Sequence, residues 1–321
     1  MPGKKPIPVC ILLGPTASGK TELVERLFLP GNFPCPVEIV SADSMQVYRG
    51  MDIGTAKPEG ELRARIPHHL IDIRNPDEQF NAGDFVRLAD EACAAIADRG
   101  ALPVLSGGTG FYIKNFILGQ SDAPPSSPRI REALREELLH RGSPALMEEL
   151  AACDPPSAAR IHPNDTYRLL RALEVFRSSG RPLSSFPLPA PEVLRSGYRF
   201  LILGLTRPRE ELYRRIDRRC AAMFRRGLPE EVQRLFETGY GPGDPGLAAI
   251  GYKEFFVESS PGEYTLSGDL PGVEVLVARN SRHYAKRQLT FFASLPELIR
   301  ISASGDPPEQ ARRALESFLR A

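Results

Sequence analysis

Apolar residues in this chain fall first in short unbroken runs and later at helical spacing. Residues 6–13 (Pro-Ile-Pro-Val-Cys-Ile-Leu-Leu) are almost wholly apolar, which predicts a short strand buried on both faces. A glycine-containing octet follows at once, and then a helical run over 22–28. A second strand is predicted over 37–41, ending at Ala42-Asp43-Ser44. In 84–99, Phe85, Leu88, Ala92 and Ile96 recur at helical spacing, and Gly100 supplies a stop. Residues 102–105 read as a third apolar strand running into Ser106-Gly107-Gly108-Thr109-Gly110. Strands alternating with helices across glycine turns predict an α/β fold with a parallel sheet.

The texture changes at Asp122. A Pro/Ser segment over 123–128 leads into helical patterns near 129–150 and 165–179, and a loop rich in Ser and Pro spans 178–191. Residues 200–205 predict a strand that returns to the sheet. Helices are predicted over 209–226, 229–238 and 273–294, and the 31 prolines fit the frequent breaks between them. No internal repeat is visible. The organisation expected is a P-loop core, 1–120 and 198–321, with a mainly helical insertion over 121–197.

Composition narrows the class. Hydrophobic residues make up 42% of 321, enough for a sizeable core and too many for a disordered chain. Lys plus Arg is 41 against 40 Asp plus Glu, so net charge by itself points to no polyanionic partner. Its distribution does: residues 207–234 hold nine arginines against five acids, and 279–287 hold four basic residues and no acid. A solvated helix face is the competing reading of such runs. The five cysteines are scattered without a C-x-x-C pair, so reduced thiols in a cytosolic protein are expected, with neither a zinc site nor a disulfide framework. Lys4 and Lys5 precede an apolar stretch that is too short for a membrane span or a signal peptide.

The octet Gly14-Pro15-Thr16-Ala17-Ser18-Gly19-Lys20-Thr21 satisfies G-x-x-x-x-G-K-[ST] in its required strand–loop–helix context. Backbone N–H groups and the following helix N-terminus surround an anion in such a loop. Lys20 adds a mobile positive charge, and the hydroxyls of Thr21 or Ser18 are candidate Mg²⁺ ligands. The motif fixes a polyphosphate or diphosphate group without naming a reaction. Asp43 and Thr109 each follow a predicted strand, which puts both at the carboxyl edge of the sheet beside the loop. Each also has a local reading, as a turn or capping residue.

Five blocks together resemble a family. They are residues 14–21, the stretch Ser41-Ala-Asp-Ser-Met-Gln-Val-Tyr-Arg-Gly-Met-Asp-Ile-Gly-Thr-Ala-Lys-Pro58, Gly107-Gly-Thr-Gly-Phe-Tyr112, Arg168-Leu-Leu-Arg-Ala-Leu-Glu-Val175 and Ala285-Lys-Arg-Gln288. In that order they resemble the signature set of the bacterial tRNA dimethylallyltransferases, the IPP transferase family. The likeness covers nearly the whole chain.

The resemblance implies a prenyltransferase. Its donor is dimethylallyl diphosphate, held by the nucleotide-binding type of loop with Mg²⁺. Its acceptor is N6 of the adenosine 3′ of the anticodon in tRNA. Asp43 is implied as the base and Thr109 as a hydrogen-bond partner near both substrates. Arg215 and Arg219, four apart on one helix face, are the candidate diphosphate clamps, with Arg215 preferred. Contacts with tRNA are implied for Asp43, Ser44, Met45, Gln46, Thr109 and Arg131. They are also implied for Tyr167, Arg168, Leu169, Leu170 and Arg171, and for Ala248, Ala249, Ile250, Gly251, Tyr252 and Lys253. Tyr167 stands where many relatives carry Gln. Phe111 and Tyr112 are candidates to pack on a base or prenyl chain, or to fill the core. Only a short tail is expected after Leu295, without a zinc finger, and a cytoplasmic monomer is expected. The rivals are an adenylate isopentenyltransferase acting on free AMP or ADP, a P-loop kinase or NTPase, and a non-catalytic RNA-binding module.

Overall fold

The structure, a computed structural model, describes residues 5–187 and 193–320. The end of the loop expected over 178–191, from residue 188, lies outside the described residues, as does Lys4. The chain divides into two compact units, one of residues 1–117 with 194–321 and one of residues 118–193.

The first unit opens with β1 (Ile7–Leu13), α1 (Lys20–Phe28), β2 (Val37–Ala42), α2 (Gly60–Arg65), β3 (His68–His69), α3 (Ala82–Asp98), β4 (Leu102–Gly107) and α4 (Gly110–Leu118). The second unit holds α5 (Pro128–Cys153), α6 (Pro155–Arg160) and α7 (Thr166–Ser179). The chain returns through β5 (Tyr198–Thr206), α8 (Arg209–Arg225) and α9 (Leu228–Glu237). A hairpin of β6 (Phe256–Ser260) and β7 (Glu263–Leu266) precedes α10 (Leu270–Phe292), β8 (Ile299–Ser302) and α11 (Pro307–Arg320).

Six strands pair in the order β3-β2-β4-β1-β5-β8, and every pairing is parallel. A central parallel strand is covered on both faces, which is why β1 is apolar without alternation and Val9 to Leu13 are all buried. On one face α1 and α11 pack together, and Leu23, Leu27, Ala311 and Leu315 join Leu12, Val104 and Leu203 in one core cluster. The segment after Leu295 is therefore not a tail. Its strand β8 extends the sheet beside β5, and α11 closes the core beneath it. Asn81 starts α3 with a capping box: its side chain accepts from the Asp84 amide while Asp84 accepts from the Asn81 amide.

In the second unit the helix expected over 129–150 is two segments. Gly142 has φ 75° and ψ 165°, and Pro144 opens the second segment, so the chain turns between them. Leu134, Leu146, Leu150, Leu169 and Leu173 make the unit's core. Glu174 is buried among them and gathers the Ser126 hydroxyl at 2.5 Å, the Ser127 amide at 2.7 Å, and Arg131 and Arg171 at 3.2 and 3.0 Å.

Candidate active site

The loop from Gly14 to Thr21 joins β1 to α1. Ala17 and Gly19 both adopt left-handed backbone, with φ of 61° and 103°, a loop geometry of the kind that forms anion-binding concavities. Lys20 lies in the loop with Nζ donating to the carbonyls of Gly14 and Pro15 at 2.8 and 3.1 Å. Burial pushes its ammonium down to about 8, Arg219 adds to the drop, and Asp43 opposes it.

Three arginines surround this loop in different ways. Arg215 donates from Nε to the Ala17 carbonyl at 2.9 Å, and Arg207 donates from Nε and Nη2 to the Ser18 carbonyl at 3.3 and 3.2 Å while pairing with Glu211. Both brace the loop from its carbonyl side. Arg219 instead lines the cleft, and its charge couples to both Lys20 and Asp43. Of the two clamp candidates, the preferred Arg215 is thus held against a loop carbonyl, while Arg219 lines the cavity. Burial is the larger influence on Arg219 and lowers its pKa, while Asp43 raises it.

Asp43 leaves the end of β2 beside the end of β4. Ala42 pairs with Gly107 in the register of these strands, and a side-chain carbon on Gly107 would fall 2.1 Å from the Ala42 carbonyl oxygen. Only glycine allows the approach. The Thr109 amide then donates to the Ala42 carbonyl at 3.1 Å, and the Thr109 hydroxyl accepts from the Ser44 amide at 2.9 Å. Asp43 Oδ1 accepts from the Met45 amide at 2.9 Å, so the local-turn reading holds, yet the residue also lines the cleft. One residue thus both closes the turn and faces the cleft.

A cavity of about 100 Å³ joins these parts, lined by Thr16, Lys20 and Thr21 of the loop, by Asp43 and Gln46, and by Arg219. Tyr284 and Gln288 of α10 also line it, and neither was singled out from sequence. Gln288 is buried and ties two strand ends together, accepting from the Thr16 amide at 2.9 Å and donating to the Gly108 carbonyl at 2.8 Å. Burial, helped by the Asp43 charge, pushes the Tyr284 phenol up to about 12, while contacts with Thr109 and Gln288 oppose this. Tyr284 is therefore a protonated hydroxyl beside Thr109. The signal for Gln288 lay in the block 285–288. Tyr284 sits one residue outside it, and Arg207 and Tyr284 act across such separations that no local pattern marks them.

Among the described residues no group of three or more His, Cys, Asp or Glu could hold a metal. Thr21 opens onto the cleft beside Lys20, which suits Mg²⁺ held by one hydroxyl and substrate oxygens. Ser18, the other candidate, differs from Thr21 in its surroundings. Its hydroxyl is enclosed, close to Gly14, with no hydrogen-bond partner, whereas Thr21 lines the cleft.

The remaining residues divide by unit. In the second, Tyr167 is 70% exposed with the Arg131 guanidinium 4.7 Å from its ring centre. Arg168 pairs with Asp165 at 2.7 Å, and Leu169 and Leu170 turn into the core. In the first unit Ala248 and Lys253 are exposed, whereas Ala249 and Tyr252 are buried. The expectation of tRNA contact from the Tyr252 side chain is corrected: its hydroxyl donates to Glu231 at 2.6 Å inside the protein. Phe111 is exposed, while Tyr112 is core, stacked on Phe85. The free thiols Cys10, Cys93 and Cys220 are buried, with Cys35 and Cys153 partly so. Burial pushes Cys10 up to about 12, which keeps it an inert thiol. Among the described residues no helix is long and apolar enough to cross a membrane.

Comparison with known proteins points to one family. Residues 46–295 match the family model described as IPP transferase. The tRNA dimethylallyltransferase of Geobacter sulfurreducens is 47% identical over 290 residues, spanning 90% of this chain and 89% of the relative. The tRNA dimethylallyltransferase 1 of Trichlorobacter lovleyi is 46% identical over 290 residues, spanning 90% and 92%. The crystal structure of the full-length tRNA isopentenylpyrophosphate transferase of Bacillus halodurans superposes with a TM-score of 0.66 at 35% identity, covering 98% of this chain and 97% of that one. A eukaryotic dimethylallyltransferase crystallised while acting on tRNA shares the fold, with a TM-score of 0.77 at 24% identity. On the family match over most of its length and these relatives, the chain belongs to the IPP transferase family.

Proposed function

We propose that this protein transfers the dimethylallyl group of dimethylallyl diphosphate to N6 of the adenosine 3′ of the anticodon in tRNA, releasing diphosphate. The observation that carries the reading is the meeting of Lys20, Arg219 and Asp43 in one cleft of a chain belonging to this family. The adenine amino group is a weak nucleophile because its lone pair is delocalised into the ring. As N6 attacks the prenyl carbon, the C–O bond to diphosphate breaks, a C–N bond forms and the amine becomes acidic. Asp43 takes the N6 proton. Lys20, Arg219 and the amides of the loop stabilise the charge growing on the leaving diphosphate. Tyr284 and Thr109 supply hydroxyls to orient the base beside Asp43.

Mg²⁺, held by Thr21 and the diphosphate oxygens, would supply further charge neutralisation there. The target base has to leave the anticodon stack to reach a carboxylate lining a cleft, so nucleotide extrusion belongs to the mechanism. Arg131, Tyr167, Arg168 and Arg171 of the second unit are the residues we assign to gripping the anticodon loop, with Ala248 and Lys253 of the first. The same reading has the enzyme act as a monomer in the cytoplasm.

The test is incubation with labelled dimethylallyl diphosphate, Mg²⁺, and either an unmodified anticodon stem-loop or AMP. Label in the stem-loop alone supports the reading. Label in AMP alone transfers it to an adenylate isopentenyltransferase, and ATP hydrolysis without prenyl transfer removes it.

A further inference from the structure

Glu231 on α9 is 2% exposed, and no part of the chemistry above uses it. Its carboxylate accepts from three successive backbone amides, Asp52 at 3.0 Å, Ile53 at 2.8 Å and Gly54 at 3.1 Å, and from the Tyr252 hydroxyl at 2.6 Å. Burying a carboxylate without a cation costs several kcal/mol unless donors converge on it. Here the donors are a loop of backbone and one phenol, and the first turn of α9 adds its positive end. The Tyr252 ring packs against the same loop. A side-chain carbon on Gly54 would sit 2.4 Å from it, so glycine is needed where the two meet.

The gripped loop leads directly into the cleft. Thr55, Ala56 and Pro58 line the cavity, one to four residues beyond the three amides. Gln46 Nε2 reaches back to the carbonyls of Thr55 and Ala56, each at 3.4 Å, and Gln46 Oε1 accepts from the Ser41 hydroxyl at 2.9 Å, two residues before Asp43. Lys57 secures the far end, donating to Tyr48 O, Asp52 and Asp72, each at 2.6 Å. Contacts therefore run without a break from α9 to the segment that carries Asp43.

We infer that Glu231 is a positioning residue for the acceptor side of the cleft, and that Tyr252 links this wall to the turn over 248–253. The inference rests on the proposed activity for its kinetic consequence, though not for its structural one. Charge-assisted hydrogen bonds are about twice as strong as neutral ones, so a glutamine in the same space holds three amides less firmly. The phosphate loop lies outside this chain of contacts, so donor binding should be spared.

The experiment compares E231Q, E231A and Y252F with the parent enzyme well below their melting temperatures. Three readouts are taken: single-turnover rate and KM with an anticodon stem-loop, Kd for dimethylallyl diphosphate, and hydrogen exchange at the amides of 52–56. The expected result is a fall in turnover of at least about tenfold for E231Q, more for E231A and less for Y252F, with donor Kd within about twofold. Exchange at 52–56 should quicken while exchange in β1 does not. A lowered melting temperature with unchanged turnover and KM would make Glu231 a stabilising residue only and overturn the inference. Donor affinity falling in step with turnover would also overturn it. If the parent enzyme itself does not prenylate the stem-loop, the proposed activity has failed, and exchange at 52–56 still decides whether Glu231 sets the wall. Unchanged exchange there in E231A, with E231Q as the milder control, would end the inference.

Discussion

Lys20, Arg219 and Asp43 place two positive charges and one negative charge in a cavity of about 100 Å³. Each charge has a separable consequence. Asp43→Asn keeps the turn-forming acceptor and removes the base. Turnover should fall by about 10²–10⁴-fold with tRNA affinity nearly intact, read by single-turnover assay and by binding of the stem-loop. Near-normal turnover would remove Asp43 as the base. Lys20 gives a pH dependence whose sign follows from its lowered value of about 8. A diphosphate against Nζ favours the charged form, so binding raises this pKa. Well below pH 8 the lysine is charged with or without donor, and it contributes no slope. Above pH 8 the free enzyme has lost the proton and takes it back on binding. Donor affinity then weakens by up to about tenfold per pH unit until the pKa of the bound state is passed. Calorimetry in buffers of different ionisation enthalpy should find proton uptake rising between about pH 7.5 and 9 and absent in Lys20→Met. Equal uptake in that variant would assign the proton elsewhere.

At the scale of elements, the site depends on where strands end and on what crosses between them. Gly107→Ala should force the ends of β2 and β4 apart, because the clash is with Ala42 backbone and no rotamer relieves it. Such overpacking costs about 1–3 kcal/mol, and Asp43 and Thr109 move with the strands, so a lowered melting temperature should come with lost turnover. Activity preserved at a lowered melting temperature would show that the strand approach serves stability alone. Gln288→Leu attacks the same junction from α10, leaving the Thr16 amide and Gly108 carbonyl without their partner, a loss of about 1–3 kcal/mol for each group left buried and unpaired.

These two elements also show what the sequence made legible. The β1–loop–α1 unit was readable because its apolar run, glycines and lysine are adjacent in the chain. The strand-end position of Asp43 and Thr109 was readable because each follows an apolar run. The four residues of β8 and the two of β3 were not readable, since neither is long enough to show a period. The helix α11, with Ala311 and Leu315 in the core, reads as tail in the sequence, because a strand too short to detect separates it from the rest of the sheet it covers. Gln288, Arg207 and Glu231 take their roles from partners more than 170 residues away, and no spacing rule reaches that far.

Across the whole molecule, a net charge of +1 hides a local surplus. Arginines of both basic stretches are already paired: Arg207 with Glu211 and Arg226 with Glu59 at 3.3 Å in 207–234, and Arg282 of α10 with Asp217 in 279–287. Arg226 is a solvated face residue, whereas Arg207 is enclosed against the phosphate loop. Arg214, Arg218 and Arg225 are exposed on α8, and Arg279, Lys286 and Arg287 are exposed on α10. Positive side chains of this kind neutralise phosphates and release counterions, so affinity for an anticodon stem-loop should fall steeply as salt rises. Each phosphate contact contributes about 0.7–0.9 to the slope of log K against log salt. Replacing Lys286 and Arg287 together by Ala should therefore flatten the slope by about 1.4–1.8 if both touch phosphate. Dimethylallyl diphosphate affinity should stay unchanged, because the cleft is lined by Lys20 and Arg219 and not by these two residues. Fluorescence anisotropy across a potassium chloride series measures the slope directly. An unchanged slope would return α10 to the class of solvated helix faces and leave tRNA binding to other basic residues, and a donor affinity that fell with it would mean that the double replacement had disturbed Tyr284 and Gln288 on the same helix.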